Sequence, residues 1–270
     1  MTGFAKNWRK LLQLQLNYSK MKLSDNLQIK SFTDPYPVWV VDNLLQNHLV
    51  DDIKKEWPDK ESELWHSGHK KINGKTNILE QKMLAISDLD KMPSKIAELV
   101  EFFHDVEFLN HVKDITKIED IHVDKSMRWS GMRTMLPKSY QMIHSDARKH
   151  PENKLRKELT LLFYLNKANY VREKDEGCLE IWDDSMQKMK RELEPINNRL
   201  VIFLNSDTSY HGVPTVNSER RAITFSYLKS GEASERNKAL FVGRPQDSQE
   251  ITEIGKERAF IRDKQKPKGL

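Results

Sequence analysis

The residues best suited to chemistry are His144 and Asp146, separated by Ser145, together with the distant His211. Successive side chains of a strand point to opposite faces, so residues two apart share a face. His144 and Asp146 therefore point the same way and Ser145 points away from them. Two neutral imidazoles and one carboxylate on one face of an octahedral metal leave three positions open, an arrangement suited to oxygen chemistry at ferrous iron. A lone His-x-Asp or a lone histidine is common; order, spacing and context together carry the assignment. His144 closes the apolar run Tyr140–His144, and His211 lies just past the run Leu200–Leu204.

Arg220 and Arg221 follow His211 by nine and ten residues, at the start of another apolar run. A dicarboxylate chelating a metal through one end needs its remote carboxylate held, and a guanidinium does this bidentately. Neighbours on a strand face opposite ways, so only one of the two arginines can point inward, and a bulge would exchange them. On Leu159–Asn166, alternation places Thr160, Leu162 and Tyr164 on one face. The Tyr164 phenol is a candidate partner of the same carboxylate, with core packing around a satisfied hydroxyl as the alternative.

These residues need elements to position them. Phe4, Trp8, Leu11 and Leu12 have helical spacing and predict an amphipathic N-terminal helix. Pro35 and Pro37 interrupt the pattern, Val38–Val41 reads as a short strand, and Leu44–Trp57 as a helix stopped by Pro58. Helical spacing returns in Pro93–Phe103, with Ser94 as a candidate N-cap, and in Phe108–Ile115. From Asp120 the chain becomes short apolar runs between polar loops. The predicted strands are Ile121–Val123, Met132–Leu136, Tyr140–His144, Leu159–Asn166, Cys178–Trp182, Leu193–Ile196, Leu200–Leu204 and Arg221–Leu228. Eight such strands predict a mainly β, double-sheet jelly roll of the cupin kind with flanking helices. The expected organisation is a single domain over 1–270: a mostly helical support region at 1–119, a catalytic core at 120–230 and an extension at 231–270, helical around Ile251–Ile261.

With 37% hydrophobic and 31% charged residues, the 270-residue chain is polar but not disordered in composition. No stretch approaches the roughly 18–20 apolar residues of a membrane span. Cys178 is the only cysteine, so no intramolecular disulfide exists and a reducing cytoplasm is the expected location. The net charge of +5 is spread among acids without a basic helix face, which argues against a nucleic-acid partner. Ala147–Lys157 is a basic run beside the His-x-Asp; it reads as a solvated loop, with attraction of an acidic substrate as the functional alternative, and His150 within it as a surface residue. The pair His66 and His69 reads as an exposed loop, and Trp129, Met132 and Trp182 as barrel packing or cavity lining.

Several segments together resemble the prolyl-hydroxylase-like branch of the Fe(II)/2-oxoglutarate dioxygenases. They are His144-Ser145-Asp146, Lys157 to Asn166, Gly177-Cys178-Leu179-Glu180-Ile181-Trp182, His211-Gly212-Val213-Pro214 and Arg220-Arg221-Ala222-Ile223-Thr224, with Tyr36 to Asn43 resembling the opening strand. The resemblance implies that His144, Asp146 and His211 ligate Fe(II), that Arg220 binds 2-oxoglutarate, and that Tyr164 assists it. Other branches place the basic residue one position later, which keeps Arg221 as an alternative. Tyr140 is the candidate for a second cosubstrate tyrosine, without a clear motif around it, and Cys178 stands where many members have a second glycine. The implied reaction couples oxidative decarboxylation of 2-oxoglutarate by O2, giving succinate and CO2, to hydroxylation of a C–H bond, with ascorbate as reductant in vitro. Related halogenases lack the carboxylate, so Asp146 implies hydroxylation. A small-molecule or biosynthetic substrate leads; a peptidyl prolyl substrate, a non-catalytic metal-binding jelly-roll sensor and a nucleic-acid demethylase are the alternatives.

Overall fold

The computed structural model describes residues 21–67, 83–231 and 239–247, with Gln249 and Glu253. The expected N-terminal helix, His69 and, apart from Glu253, the helix around 251–261 lie outside these residues. The strands are β1 (Gln28–Phe32), β2 (Val38–Asp42), β3 (His66–Ser67), β4 (Met83–Ile86), β5 (His122–Val123), β6 (Gly131–Met135) and β7 (Gln141–Ser145). They continue with β8 (Arg156–Tyr164), β9 (Leu179–Trp182), β10 (Met189–Leu193), β11 (Arg199–Leu204), β12 (His211–Val213), β13 (Arg220–Lys229) and β14 (Leu240–Phe241). Among the described residues they are accompanied by the α-helices α1 (Asn47–Lys55), α2 (Ser94–His104), α3 (Val106–Thr116) and the single turn α4 (Arg172–Asp175), with a 3-10 turn at Leu89–Lys91.

Two antiparallel sheets form. The larger runs β1-β2-β11-β8-β13-β6-β4-β3 with β5 added beside β13, and the smaller runs β10-β9-β12-β7-β14. The predicted double-sheet architecture is present. Its recruitment is wider than expected, because β1 to β4 lie within residues 1–119 and β14 lies in the C-terminal extension. Residues 1–119 therefore complete the larger sheet as well as supplying helices. The strand expected at Leu193–Ile196 is displaced to Met189–Leu193, where it pairs with β9.

Alternation on β8 decides which layer each residue joins. Leu159, Leu161 and Phe163 face outward onto α2 and α3, in the main core with Ile96, Leu99 and Phe103. The Phe103 ring stacks on Phe225 of β13 at 4.2 Å. Full burial of such side chains contributes about 1.5–3 kcal/mol each, so this layer fixes the larger sheet as the rigid wall of the barrel. Pro93, not Ser94, is the N-cap residue of α2; Ser94 and the Lys95 backbone N–H instead donate to Glu56 beyond the end of α1. The opposite face of β8 looks into the barrel.

Candidate metal centre and its cavity

β7 and β12 are hydrogen-bonded neighbours in the smaller sheet, and their register sets His211 directly against His144. The ring centroids are 4.4 Å apart. The register next pairs Val213 with Gln141, so Met142 and Ile143 together oppose Gly212. This extra residue on β7 is a bulge, which reverses the alternation locally and lets both Gln141 and His144 face the cavity. Gly212 is required there: a Cβ would lie 2.7 Å from Ile143 Cδ1 and 3.0 Å from the Gln141 carbonyl oxygen.

Each histidine is oriented by its own strand. With the proton on Nδ1, His144 donates to the Met142 carbonyl and His211 to the Ser209 carbonyl, both at 2.9 Å. Such bonds select the tautomer whose Nε2 carries a lone pair for a metal. Burial, with His144 adding to it, lowers the His211 imidazole to about 3 and keeps it neutral.

Asp146 completes the group, its Oδ1 lying 3.5 Å from His144 Nε2. One ligand atom from each of His144, Asp146 and His211 lies within 4.8 Å of the others, the only such cluster among the described residues. Burial alone would raise the Asp146 carboxyl. The Lys157 ammonium is the largest of the effects that more than offset it, and the group sits well below the usual carboxylate range. Two neutral nitrogens and one ionised oxygen fit a divalent first-row metal with open positions.

The cavity over this cluster has a volume of about 410 Å³. Arg220 enters it from β13, is 7% exposed, and donates from Nε to the Gly177 carbonyl at 2.9 Å and from Nη2 to the Tyr164 hydroxyl at 3.0 Å. Tyr164 does not line the cavity; it lies fully buried beside the guanidinium, and burial raises its phenol so that it stays protonated. Gly177 has φ of +86°, and a Cβ there would meet Val216 at 2.7 Å, so glycine at this turn keeps space for the arginine stem.

Two expected cosubstrate candidates are corrected. Arg221 faces away from the cavity, bonded to Glu219 at 2.8 Å and set over the Trp57 ring at 5.7 Å, because strand parity sends its neighbour Arg220 inward. Tyr140 is also outside the cavity lining; it packs with Met142, Ala239 and Phe241, while the bulged Gln141 takes the inward place.

Around the mouth, Trp129 lines the cavity, whereas Met132 belongs to the main core and Trp182 to a cluster with Ile143 and Tyr210. His66 reaches the rim. His150 is not a surface residue: it is fully buried, its Nε2 lies 3.2 Å from Ser126 Oγ, and its ring meets Trp129 edge-on. The basic run around Lys157 reads as a solvated loop, yet Lys157 is 4% exposed and lines the cavity together with Thr160, Arg128 and Arg133. Phe241 of β14 stacks on His144 with centroids 5.1 Å apart, a contact that the polar C-terminal segment did not announce.

Residues 131–228 match the family model of the 2OG-Fe(II) oxygenase superfamily. Over this part of its length the chain is similar to this superfamily. Its enzymes use Fe(II) and 2-oxoglutarate. Among solved structures, the chain is similar to a prolyl hydroxylase from Trichoplax adhaerens in complex with a hypoxia inducible factor peptide (TM-score 0.53, 14% identity, covering 73% of this chain and 86% of that one). It is also similar to a prolyl-4-hydroxylase from Pseudomonas putida (TM-score 0.52, 16% identity, 74% and 96% covered). A third likeness is to SnoK, a non-heme alpha-ketoglutarate-dependent carbocyclase of nogalamycin biosynthesis (TM-score 0.53, 13% identity, 85% and 92% covered). At these identities the likeness is one of fold, and it includes both peptide-directed and small-molecule enzymes. No curated protein sequence matches the chain. Among the described residues, no helix is long and apolar enough to cross a membrane.

Proposed function

We propose that this oxygenase hydroxylates an unactivated C–H bond of a small polar molecule, with His144, Asp146 and His211 holding the iron and Arg220 the remote carboxylate of 2-oxoglutarate. The supporting observation is the in-register His144–His211 pair, whose Nδ1 bonds leave Nε2 free beside Asp146 in the cavity that Arg220 also enters. Bound iron and 2-oxoglutarate supply the oxidising chemistry, with succinate and CO2 as co-products. The two histidines and Asp146 provide a neutral, neutral and anionic donor set on one face. Arg220 would donate to the carboxylate, its guanidinium held in place by the buried Tyr164 hydroxyl that accepts from Nη2. Leu162, Leu179, Phe203 and Val213 supply the apolar wall that keeps water from the reacting face.

The substrate class rests on the rest of the lining. A prolyl ring presents carbon to its enzyme, whereas Arg128, Arg133, Gln141 and Thr224 bring hydrogen-bonding groups into this cavity and suit a compact polar molecule. The test is succinate formation under air with Fe(II), 2-oxoglutarate and ascorbate, against polar small molecules and proline-containing peptides. Stimulation by small molecules, lost in His144→Ala, supports the reading. Stimulation by peptides alone would replace it with the peptidyl one, and metal binding without any turnover would favour a sensor.

A further inference from the structure

The register of β8 against β13 contains an irregularity with a consequence for the metal site. Tyr227 pairs with Leu159 and Leu228 with Lys157, so Glu158 is an extra residue on β8. Without it, the alternation that turns Thr160, Leu162 and Tyr164 inward would also turn Glu158 inward, setting a second carboxylate close to Asp146. The bulge turns Lys157 into the cavity and leaves Glu158 bonded to Arg156 at 2.8 Å.

There Lys157 Nζ lies 2.6 Å from Asp146 Oδ2 and 5.5 Å from the centre of the Trp129 ring. The same oxygen accepts from the Thr160 hydroxyl at 3.1 Å. Asn205, with its amide nitrogen turned toward the carboxylate, adds a donor at 3.2 Å while its oxygen accepts from the Thr160 backbone N–H at 3.0 Å. Oδ2 is thus engaged by as many as three donors, and Oδ1 is the oxygen beside His144. A carboxylate oxygen offers about two lone-pair sites, so little of Oδ2 is left for a metal.

We propose that Lys157 is a positioning residue that commits Asp146 to coordinate through Oδ1 alone. This rests on the metal-site reading above. If both oxygens were bound, Asp146 would take one of the three positions that the cosubstrate and oxygen need. The Lys157 charge holds the carboxylate in place and opposes the rotation that would bring Oδ2 to the metal.

The test uses the full chain loaded with Co(II). X-ray absorption reads the metal-to-carboxyl-carbon distance, which shortens when both oxygens bind, and titration reads 2-oxoglutarate affinity. Wild type and Lys157→Arg are expected to show the long distance. Lys157→Met is expected to show the short one and to bind 2-oxoglutarate at least about ten-fold more weakly, the lower end of the effect of removing a partner of a metal ligand. Thr160→Val removes a donor without unpairing a charge, so it reports even where Lys157→Met does not fold; a partial shift in the same direction is expected. The proposal is overturned if wild type already binds through both oxygens, or if Lys157→Met, or Thr160→Val where Lys157→Met does not fold, keeps the wild-type distance. Failure of wild type to bind Co(II) through these residues would overturn the metal-site reading itself, and this inference with it.

Discussion

The two sheets hold their functional groups by different means. In the smaller sheet, His144 and His211 are oriented by carbonyls two residues back on their own segments, Met142 and Ser209. In the larger sheet, Arg220 and Lys157 are held by groups on other segments, the Tyr164 hydroxyl and Gly177 carbonyl for the first and Asp146 for the second. The first arrangement needs only local backbone geometry and one register between adjacent strands. The second needs correct strand parity, one bulge and complementary charges, all buried. The smaller sheet therefore supplies candidate metal ligands aimed by their own backbone, and the larger supplies cations whose aim depends on their partners.

The strongest test of this division removes a ligand. His211→Ala or Asp146→Ala should abolish detectable turnover and weaken Fe(II) or Co(II) binding by well over ten-fold, measured by titration with the fold checked by circular dichroism; wild-type metal affinity in either would break the comparison at its root. Next comes the arginine. Arg220→Ala removes a charge-assisted pair of about 1.5–3 kcal/mol, so the dissociation constant for 2-oxoglutarate should rise by about 10–150-fold, while Arg221→Ala should leave it within about two-fold. Equal effects would mean that the inward parity of Arg220 is wrong.

Gly212→Ala probes the local side of the comparison. A Cβ placed 2.7 Å from Ile143 overpacks the β7 bulge, and such strain costs about 1–3 kcal/mol, which should lower the melting temperature and displace His211. An unchanged melting temperature would show that the bulge is looser than its contacts imply.

Asp175 probes the long-range side, since its carboxylate takes Lys167 and Ser218 at 2.6 Å and thereby anchors the loop that leads into Arg220. Burial works to raise this carboxyl, but Lys167, Ser218 and the Val171 N–H more than offset it and leave it at about 2. A depressed carboxylate contributes stability that is present above its unfolded value of about 4 and is lost as pH falls toward 2. Asp175→Asn should therefore be less stable than wild type at neutral pH, with the gap narrowing across that window in acid melts; a gap independent of pH would assign the effect to packing. The smallest effect is expected from Tyr164→Phe, a loss of about 1 kcal/mol and a few-fold weaker 2-oxoglutarate binding.

Much of this was legible before any fold was known. Alternation on Leu159–Asn166 sorted Thr160, Leu162 and Tyr164 correctly from the core-facing Leu161 and Phe163, because one face of that strand packs on helices and the other on the cavity and the barrel interior beside it. The apolar runs at Met132, Leu200 and Arg221 lie in strands for the same reason. Where alternation fails, a bulge is responsible: Gln141 instead of Tyr140 enters the cavity on β7, and Lys157 instead of Glu158 on β8. His150 departs from the surface position that its charged neighbourhood predicts, because that stretch forms a buried turn against Asp124, Ser126 and Trp129.

The order of residue types thus determined the jelly-roll class, the His-x-Asp and the distant histidine at strand ends, and an arginine pair at the start of the next strand, since these follow from local period and spacing. Tertiary structure alone decided that His211 stands opposite His144, that Arg220 turns inward, and that Lys157 grips Asp146. The physical reason is that register and bulges are properties of two strands at once. A one-residue slip in either partner sends every side chain beyond it to the other face.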